Sequence, residues 1–182
     1  MPTKLFGREI ENQIAFVGLA NAGKTTLVKR LKGHDDLATV PTMGMNIETL
    51  KIGDLEVMAV DLGGQPTYPT SLWEPFVSEA SGVVFVFDSA DRDKVETAAK
   101  WLKNVIQWAP EDSAFLFLAN KQDLDVAMSL DNIIKTLELE TEMAQRPRTF
   151  GVYPCSALTG EGVDEPWRWM SERFQSKLTQ RK

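Results

Sequence analysis

The octapeptide from Gly18 to Thr25, Gly-Leu-Ala-Asn-Ala-Gly-Lys-Thr, constrains the fold of this chain more than any other feature. A largely apolar segment of strand length, Gln13–Val17, precedes it, and residues with helical spacing begin at Lys24. A glycine-rich turn in this position favours the strand–loop–helix unit of an α/β protein. The alternative is a chance glycine-rich turn before a helix, but the complete motif in this setting argues against it.

Short apolar segments alternate with segments of helical periodicity along the rest of the chain. This pattern predicts a three-layer α/β fold with a six-stranded, mostly parallel sheet and helices on both faces. Two strands separated only by Gly53 and Asp54 form a hairpin, so one strand is antiparallel. The predicted strands are Gln13–Val17, Asn46–Ile52, Leu55–Val60, Val83–Phe87, Ala114–Ala119 and Thr149–Tyr153. The predicted helices are Lys24–Lys32, Leu72–Glu79, Arg92–Trp108, Leu130–Leu137 and Val163–Lys177.

Length and composition indicate one folded domain. The 182 residues, 43% of them hydrophobic and 25% charged, suit a single globular core. We assign residues 1–12 to a short N-terminal segment without predicted strands or helices, residues 13–178 to the domain and residues 179–182 to a tail. The formal charge of -6 gives no general attraction to nucleic acid, and the single cysteine, Cys155, excludes an intramolecular disulfide.

The loop between Gly18 and Thr25 has the residue types that bind nucleotide phosphates. We expect its backbone N–H groups to surround a phosphate, Lys24 to reach the β and γ oxygens, and the Thr25 hydroxyl to bind magnesium. The motif does not identify the base, and it does not separate a GTPase from an ATPase or a kinase. The predicted phosphate-binding residues are Asn21, Ala22, Gly23, Lys24, Thr25 and Thr26.

A second motif, Asn-Lys-Gln-Asp at Asn120–Asp123, follows a predicted strand and indicates which base is bound. The Asp123 carboxylate can accept hydrogen bonds from the guanine N1–H and 2-amino groups, whereas adenine offers neither donor there. After the last strand, Ser156 and Ala157 form a further predicted contact, in which the Ala157 N–H meets the guanine 6-oxo group. We therefore predict that Asn120, Lys121, Asp123, Ser156 and Ala157 bind guanine. A solvated loop is the alternative for the tetrapeptide alone.

Taken together, these motifs resemble the Arf family of small GTPases, which includes Arf-like and Sar members, over roughly Gln13 to Phe174. Pro41–Asn46 (Pro-Thr-Met-Gly-Met-Asn) is similar to the family's Pro-Thr-x-Gly-Phe-Asn. Asp61–Gln65 (Asp-Leu-Gly-Gly-Gln) is similar to its Asp-x-Gly-Gly-Gln, and the later Leu72-Trp73 pair also looks like Arf. The resemblance implies a P-loop small G domain.

The resemblance also implies roles for residues in the two segments that it adds. Thr42 would bind magnesium through its hydroxyl and the γ-phosphate through its N–H group. Asp61 would hold magnesium through water, the Gly64 N–H would bond a γ oxygen, and Gln65 would orient the attacking water. The expected magnesium residues are therefore Thr25, Thr42 and Asp61, and the expected catalytic residue is Gln65.

The expected function is a switch that hydrolyses GTP and changes its partners between the GDP and GTP states. No arginine lies between His34 and Pro41 to act in catalysis, so hydrolysis should be slow until an activating protein supplies one. Exchange factors and effectors are the other partners that the resemblance implies, with a role in trafficking or membrane-associated regulation. The sequence leaves the oligomeric state open, and we expect a monomer. Two alternatives are a constitutively bound scaffold with negligible hydrolysis and a P-loop kinase or ATPase, which the Asn-Lys-Gln-Asp motif opposes.

Two departures from the family pattern qualify this expectation. Ala20 stands where Arf relatives usually carry aspartate, which removes a carboxylate near the γ-phosphate. The N-terminal segment keeps Lys4–Gly7 but lacks most of the acylated amphipathic helix of Arf proteins. Because lasting attachment needs more than one or two apolar side chains, we expect a cytoplasmic protein whose contact with membranes is peripheral and transient.

Overall fold

The structure, a computed structural model, describes residues 3–5, 8–10, 12–52, 55–63, 70–145 and 148–180. Its strands are β1 (Thr3–Leu5), β2 (Arg8–Ile10), β3 (Gln13–Val17), β4 (Met45–Ile52), β5 (Leu55–Leu62), β6 (Gly82–Asp88), β7 (Ala114–Asn120) and β8 (Phe150–Pro154). Its helices are α1 (Lys24–Leu31), α2 (Thr70–Val77), α3 (Val95–Trp108), α4 (Leu130–Thr136), α5 (Leu139–Ala144) and α6 (Asp164–Gln180).

One six-stranded sheet forms the centre of the fold, with the strand order β4-β5-β3-β6-β7-β8. β4 and β5 pair antiparallel, beginning with Ile52 opposite Leu55, and every other neighbouring pair is parallel. This confirms the predicted fold, although the turn residues Gly53 and Asp54 lie outside the described residues. β1 and β2 form a separate antiparallel pair that was not predicted, because three-residue strands are too short to show an alternating pattern.

Helices cover both faces of the sheet, so a hydrophobic core lies on each side. Ala15 of β3 belongs to one core, which includes buried residues of α2, α3, α4 and α5, and Phe16 belongs to the other, which includes those of α1 and α6. Each large buried side chain contributes about 1.5–3 kcal/mol. Phe85 stacks on Phe117 with ring centroids 5.8 Å apart, and Phe85→Ala would cost about 3–5 kcal/mol.

The helices differ most from the sequence predictions in three places, and α2 runs from Thr70 to Val77 where Leu72–Glu79 was predicted. A 3-10 turn at Arg92–Lys94 replaces the predicted first helical turn, and α3 starts at Val95. The helix α5 was missed because Glu138, with a left-handed φ of 52°, separates it from α4. The last helix continues to Gln180, beyond the predicted end at Lys177, because no glycine or proline stops it there. Among the described residues, no helix combines the length and apolarity needed to cross a membrane.

The parallel strands bring several loops to one edge of the sheet. Gly18 follows β3, and Asp88 at the end of β6 pairs in register with Asn120 at the end of β7. After β3 the chain passes to α1 on one face, and after β6 it passes to α3 on the other. A crevice forms where successive connections diverge in this way, which is where open α/β sheets bind ligands.

Candidate functional site

The loop from Gly18 to Thr25 curls tightly between β3 and α1. A Cβ atom added to Gly18 would lie 2.2 Å from the Val86 carbonyl oxygen, and one added to Gly23 would lie 2.2 Å from Nδ2 of Asn120. Gly23 also has a left-handed φ of 96°, a conformation that side chains other than glycine adopt at a cost. Both glycines are therefore required by the close approach of neighbouring elements.

Lys24 lies beneath this loop and is 5% exposed. Its Nζ donates to the carbonyl oxygens of Gly18 at 2.9 Å and Leu19 at 3.0 Å. Burial lowers the pKa of Lys24 to about 8, and the charge of Asp61 opposes this shift only in part. The loop thus holds a poorly solvated ammonium group, which a bound anion would stabilise.

The three residues predicted to bind magnesium lie together. The Thr25 and Thr42 hydroxyl oxygens are 2.9 Å apart, and Thr25 donates to Oδ2 of Asp61 at 2.5 Å. Oδ1 of Asp61 is buried and has no hydrogen-bond partner among the described residues. Burial raises the pKa of Asp61 above its usual value, although the Thr25 hydroxyl and the Lys24 charge act the other way. The carboxylate is therefore only partly satisfied by the protein.

Asn120 joins the glycine-rich loop between β3 and α1 to the loop that follows β8. Its Nδ2 donates to the Ala22 carbonyl oxygen at 2.8 Å, and its Oδ1 accepts from the Ala157 N–H at 2.8 Å. The sequence analysis assigned the Ala157 N–H to the guanine 6-oxo group, and in the structure this N–H bonds to Asn120. This side chain holds two loops that are distant in sequence in one fixed arrangement.

Lys121 and Asp123 lie on the segment that continues from Asn120. Lys121 has a left-handed φ of 67°, and its Nζ pairs with Oδ2 of Asp88 at 2.6 Å. Asp123 is exposed and has no such ion pair within the part of the chain that the structure describes. Its carboxylate is therefore available to hydrogen-bond donors on a ligand.

Two adjoining cavities open among these residues. The Lys24 cavity, of about 420 Å³, is lined by Ala20, Asn21, Lys24, Thr25, Val40, Pro41 and Thr42. The Asp123 cavity, of about 350 Å³, is lined by Leu37, Asn120, Asp123, Leu124, Ala157 and Leu158. Both cavities share Gly23, Thr26, Thr39 and Lys121. One cleft with two compartments therefore runs from the glycine-rich loop to the Asn-Lys-Gln-Asp segment, and each compartment has the size of a small-molecule site.

Comparison with known proteins shows the family to which this chain belongs. The family model described as ADP-ribosylation factor family, Arf, matches residues 1–174. The chain belongs to the Arf family. It is 38% identical over 168 residues to ADP-ribosylation factor-like protein 1 of Saccharomyces cerevisiae, which covers 92% of this chain and 90% of that protein. It is 35% identical over 176 residues to ADP-ribosylation factor-like protein 2 of Arabidopsis thaliana, which covers 96% of this chain and 94% of that protein.

A solved Arf-like structure has the same fold. The Arl6 BBS3 small GTPase from Trypanosoma brucei, with bound nucleotide analogue GppNp, matches with a TM-score of 0.78 and 28% identity, covering 88% of this chain and 95% of that one. As an Arf-family member, the chain is a small GTPase: a P-loop protein that binds GTP and GDP and acts as a switch. The scaffold without hydrolysis that the sequence left open has no support from these relatives.

Among the described residues predicted for this Arf-family site, Ser156 lines neither of the two cavities, and its hydrogen bonds stay within the loop after β8. The Ser156 hydroxyl accepts from the Thr159 N–H at 3.1 Å and the Ser156 N–H donates to the Glu161 carbonyl oxygen at 2.8 Å, so this residue shapes its own loop. Gly64 and Gln65 lie outside the described residues, and their roles stay predictions. The remaining predicted residues border the Lys24 cavity or the Asp123 cavity, or bond to residues that do.

Sequence reasoning missed two side chains that support the Arf-family site. Asp88, which pairs with Lys121, ends a buried strand at the ligand-binding edge, and that position alone could have indicated it. Arg30 of α1 bonds the carbonyl oxygens of Ala157 and Leu158. No local pattern links these residues, because they are 127 and 128 positions apart in sequence.

Proposed function

We propose that one guanine nucleotide occupies both compartments of the cleft, with its phosphates in the Lys24 cavity and its base in the Asp123 cavity. The continuity of the two cavities through Gly23, Thr26, Thr39 and Lys121 is the observation that carries this proposal. Phosphates and a base joined by a ribose require two such compartments with different chemistry. Residues 13–178 would form the complete G domain in this scheme.

In the Lys24 cavity, the protein supplies positive charge and backbone donors. Lys24 would exchange its bonds to the Gly18 and Leu19 carbonyl oxygens for phosphate oxygens, and its pKa would rise as it did so. The N–H groups from Asn21 to Thr26 lie in the loop before α1 and in its first turn, where the helix dipole favours anions. This arrangement binds phosphates without choosing a base.

The same cavity fits magnesium. The hydroxyls of Thr25 and Thr42 would bind the ion directly, and Asp61, whose Oδ1 has no partner among the described residues, would hold it through water. The described residues contain no cluster of three or more His, Cys, Asp or Glu side chains that could enclose a metal alone, which suits an ion that shares its ligands with phosphate and water. When bound, magnesium would neutralise charge on the β and γ oxygens.

In the Asp123 cavity, the protein would select guanine. The exposed Asp123 carboxylate would accept from N1–H and the 2-amino group, and leaving either side unpaired would cost about 1–3 kcal/mol. Ala157 would meet the 6-oxo edge, sharing its N–H with Oδ1 of Asn120. The stem of Lys121, held by Asp88, would lie between the two compartments.

Hydrolysis and switching would depend on the segments beside the γ-phosphate. Thr42 and Gly64 would contact that phosphate, and Gln65 would orient the attacking water. The Trp73 indole donates to the Gly63 carbonyl oxygen at 2.9 Å, so α2 is joined to the start of this segment. Loss of the γ-phosphate would release both contacts and change which partners bind. Exchange factors, an activating protein with an arginine and effectors would act on a cytoplasmic protein with peripheral membrane contact.

Replacing Asp123 with asparagine tests the assignment of the base. Asparagine can donate to the 2-oxo group of xanthine but cannot accept from both guanine donors. We expect D123N to lose roughly 10- to 100-fold in GDP affinity and to gain XDP binding. Displacement of fluorescent mant nucleotides would measure both affinities.

A matched control is Asp125→Asn, because Asp125 is also exposed and lies two positions along the same segment. This variant should keep the wild-type preference for GDP. If D123N also kept that preference, the base would not lie in the Asp123 cavity.

A further inference from the structure

Arg30 in the last turn of α1 contacts the loop after β8, which is distant in sequence. Its Nε donates to the Ala157 carbonyl oxygen at 2.5 Å, and its Nη2 donates to the Leu158 carbonyl oxygen. A guanidinium presents these two donors in a rigid fork. The two successive carbonyl groups are therefore held together by one side chain.

The loop also closes around the guanidinium. Gly160 has a left-handed φ of 91°, and a Cβ atom added there would lie 2.8 Å from Nη1 of Arg30. The Gly160 N–H donates to the Ser156 carbonyl oxygen at 2.8 Å, so the turn closes on itself beside the guanidinium. A side chain at position 160 would therefore meet the Arg30 guanidinium, whereas glycine leaves room for it.

The peptide groups of Ala157 are consequently held from two sides. Asn120 accepts from the Ala157 N–H at 2.8 Å, while Arg30 donates to the Ala157 carbonyl oxygen. Ala157 and Leu158 both line the Asp123 cavity, where the base is proposed to bind. α1 begins with Lys24 and Thr25 in the other compartment, so a single helix spans both halves of the cleft.

A general charge effect does not explain this contact. Basic residues in the last turn of a helix stabilise its dipole, and Lys29 would do this as well as Arg30. Only Arg30 directs its donors at the loop after β8, whereas Lys29 bonds the Ala38 carbonyl oxygen and Lys32 pairs with Glu48. Lysine also lacks the two fixed donors that hold adjacent carbonyl groups.

We propose that Arg30 is a positioning residue for base recognition, which fixes the Ala157–Leu158 segment against the 6-oxo edge of the bound guanine. This role rests on the proposed function, because it requires the base to lie in the Asp123 cavity. Arg30 does not touch the nucleotide. It lowers the rate of nucleotide release by keeping the loop in its binding arrangement.

Release of mant-GDP from full-length Arg30→Met, Arg30→Lys and Lys32→Met proteins tests the role. Methionine keeps an apolar stem but removes both donors, so release should be about tenfold faster. Lysine restores one donor and should give an intermediate rate, about threefold faster. Lys32→Met removes a charge from the end of the same helix without touching the loop, and its rate should stay within about twofold of wild type.

Competition with altered bases separates positioning from a general loss of stability. 6-Thio-GDP weakens the acceptor at the 6-position, whereas IDP lacks only the 2-amino group that Asp123 would bind. R30M should reduce the preference for GDP over 6-thio-GDP about threefold and leave the preference over IDP unchanged. The role of Arg30 would be overturned if R30M released mant-GDP at the wild-type rate. It would also be overturned if R30M lost the preferences over 6-thio-GDP and over IDP to the same extent.

A wild-type protein that shows no preference for guanine would overturn the proposed function, and this inference with it. If the wild-type protein prefers guanine and R30M releases nucleotide at the wild-type rate, only the inference would be overturned. Thermal unfolding of each nucleotide-bound protein checks folding. If R30M does not fold, the intermediate release rate of R30K decides: about threefold supports the role of Arg30, and the wild-type rate contradicts it.

Discussion

The two compartments of the cleft are built in different ways. Beside the Asp123 cavity, Asn120 bonds the Ala22 carbonyl oxygen and the Ala157 N–H, so the buried polar groups there are paired within the protein. Beside the Lys24 cavity, the Lys24 pKa is lowered to about 8 by burial, and Asp61 retains a buried oxygen without a partner among the described residues. The buried polar groups beside the Asp123 cavity are therefore paired within the protein, whereas those beside the Lys24 cavity are satisfied only in part.

This difference separates two tasks of a nucleotide switch. A paired network fixes its geometry and lowers the entropic cost of binding, so it suits a base that is common to GDP and GTP. Buried charges that the protein satisfies only in part gain stability when ligand and metal arrive, so the Lys24 cavity should respond to the number of phosphates. Recognition then depends on preformed contacts, and switching depends on contacts that the ligand completes.

Removing the Asn120 side chain should produce the largest change. Asn120→Ala leaves the Ala22 carbonyl and the Ala157 N–H without their partner, which costs about 2–4 kcal/mol for two buried groups. Release of mant-GDP and mant-GTP should accelerate by roughly 100-fold or more. The two nucleotides should be affected equally, because Asn120 lies in the Asp123 cavity and away from the γ-phosphate.

The control is Asn132→Ala on the exposed surface of α4, which should release both nucleotides at the wild-type rate. Stopped-flow fluorescence measures each rate. A much larger effect of N120A on GTP than on GDP would contradict the separation of the two compartments.

Asp61→Asn should have opposite effects on stability and on metal dependence. A carboxyl pKa raised by burial means that the folded state binds the proton more tightly than the unfolded state. Its contribution to stability therefore falls as pH rises from about 4 through the raised pKa, and the charged form destabilises the metal-free protein at pH 7. The neutral amide should add about 1 kcal/mol of stability in EDTA, while magnesium should no longer increase GTP affinity by tenfold or more.

Thermal unfolding in EDTA and GTP affinity with and without magnesium measure the two effects. Asp125→Asn, a change of an exposed carboxylate that lies outside the helices, should alter neither. A D61N protein that retains the wild-type magnesium dependence would show that Asp61 does not help to hold the ion.

Nucleotide binding should become proton-linked above pH 8. The lowered pKa of Lys24 means that unfolded protein binds more protons than folded protein between about pH 8 and 10.5, so this group's contribution to stability rises over that range. A bound phosphate would raise the pKa, so binding takes up a proton and GDP affinity should fall about threefold between pH 7.5 and 8.5. Calorimetry in two buffers of different ionisation enthalpy measures this uptake, and its absence at pH 8.5 would contradict a neutralised Lys24.

The sequence was sufficient to predict the residues whose position follows from local rules. Thr25 comes after the loop that follows β3, and Asn120 ends β7 at the same edge of the sheet, so the parallel topology alone brings them to one cleft. The antiparallel pair of β4 and β5 follows from its two-residue connection. Thr42 and Asp61 were found through family resemblance, and the structure then places their oxygens 3.5 Å apart.

The contacts that sequence could not predict depend on tertiary distance or on unusual backbone. Arg30 meets Leu158 only because α1 and the loop after β8 lie on the same side of the sheet. The end of α4 depends on the left-handed conformation of Glu138, which composition does not indicate. The partial satisfaction of Asp61 also needed coordinates, because it depends on which of its two oxygens the threonine hydroxyls reach.

Ala20→Asp should give a small change and should affect GTP more than GDP. Ala20 lines the Lys24 cavity and, on its other side, a small space beside the Lys94–Asp91 ion pair, whose atoms are 2.5 Å apart. A carboxylate there would add negative charge at the phosphate end and compete with Asp91 for Lys94. A partly exposed charge contributes about 0.2–1 kcal/mol, so GTP release and single-turnover hydrolysis should change about two- to fivefold.

The isosteric control for this aspartate is Ala20→Asn, which adds the same volume without the charge. GDP release should stay within about twofold for both variants, because GDP lacks the third phosphate that the added carboxylate would repel. If A20D releases GTP and GDP at the wild-type rates, the charge added at position 20 does not influence nucleotide binding. In that case the affinity of the Lys24 cavity for its ligand would depend on Lys24 and on the Thr25–Thr42–Asp61 group. The total charge of the residues that line the cavity would not determine it.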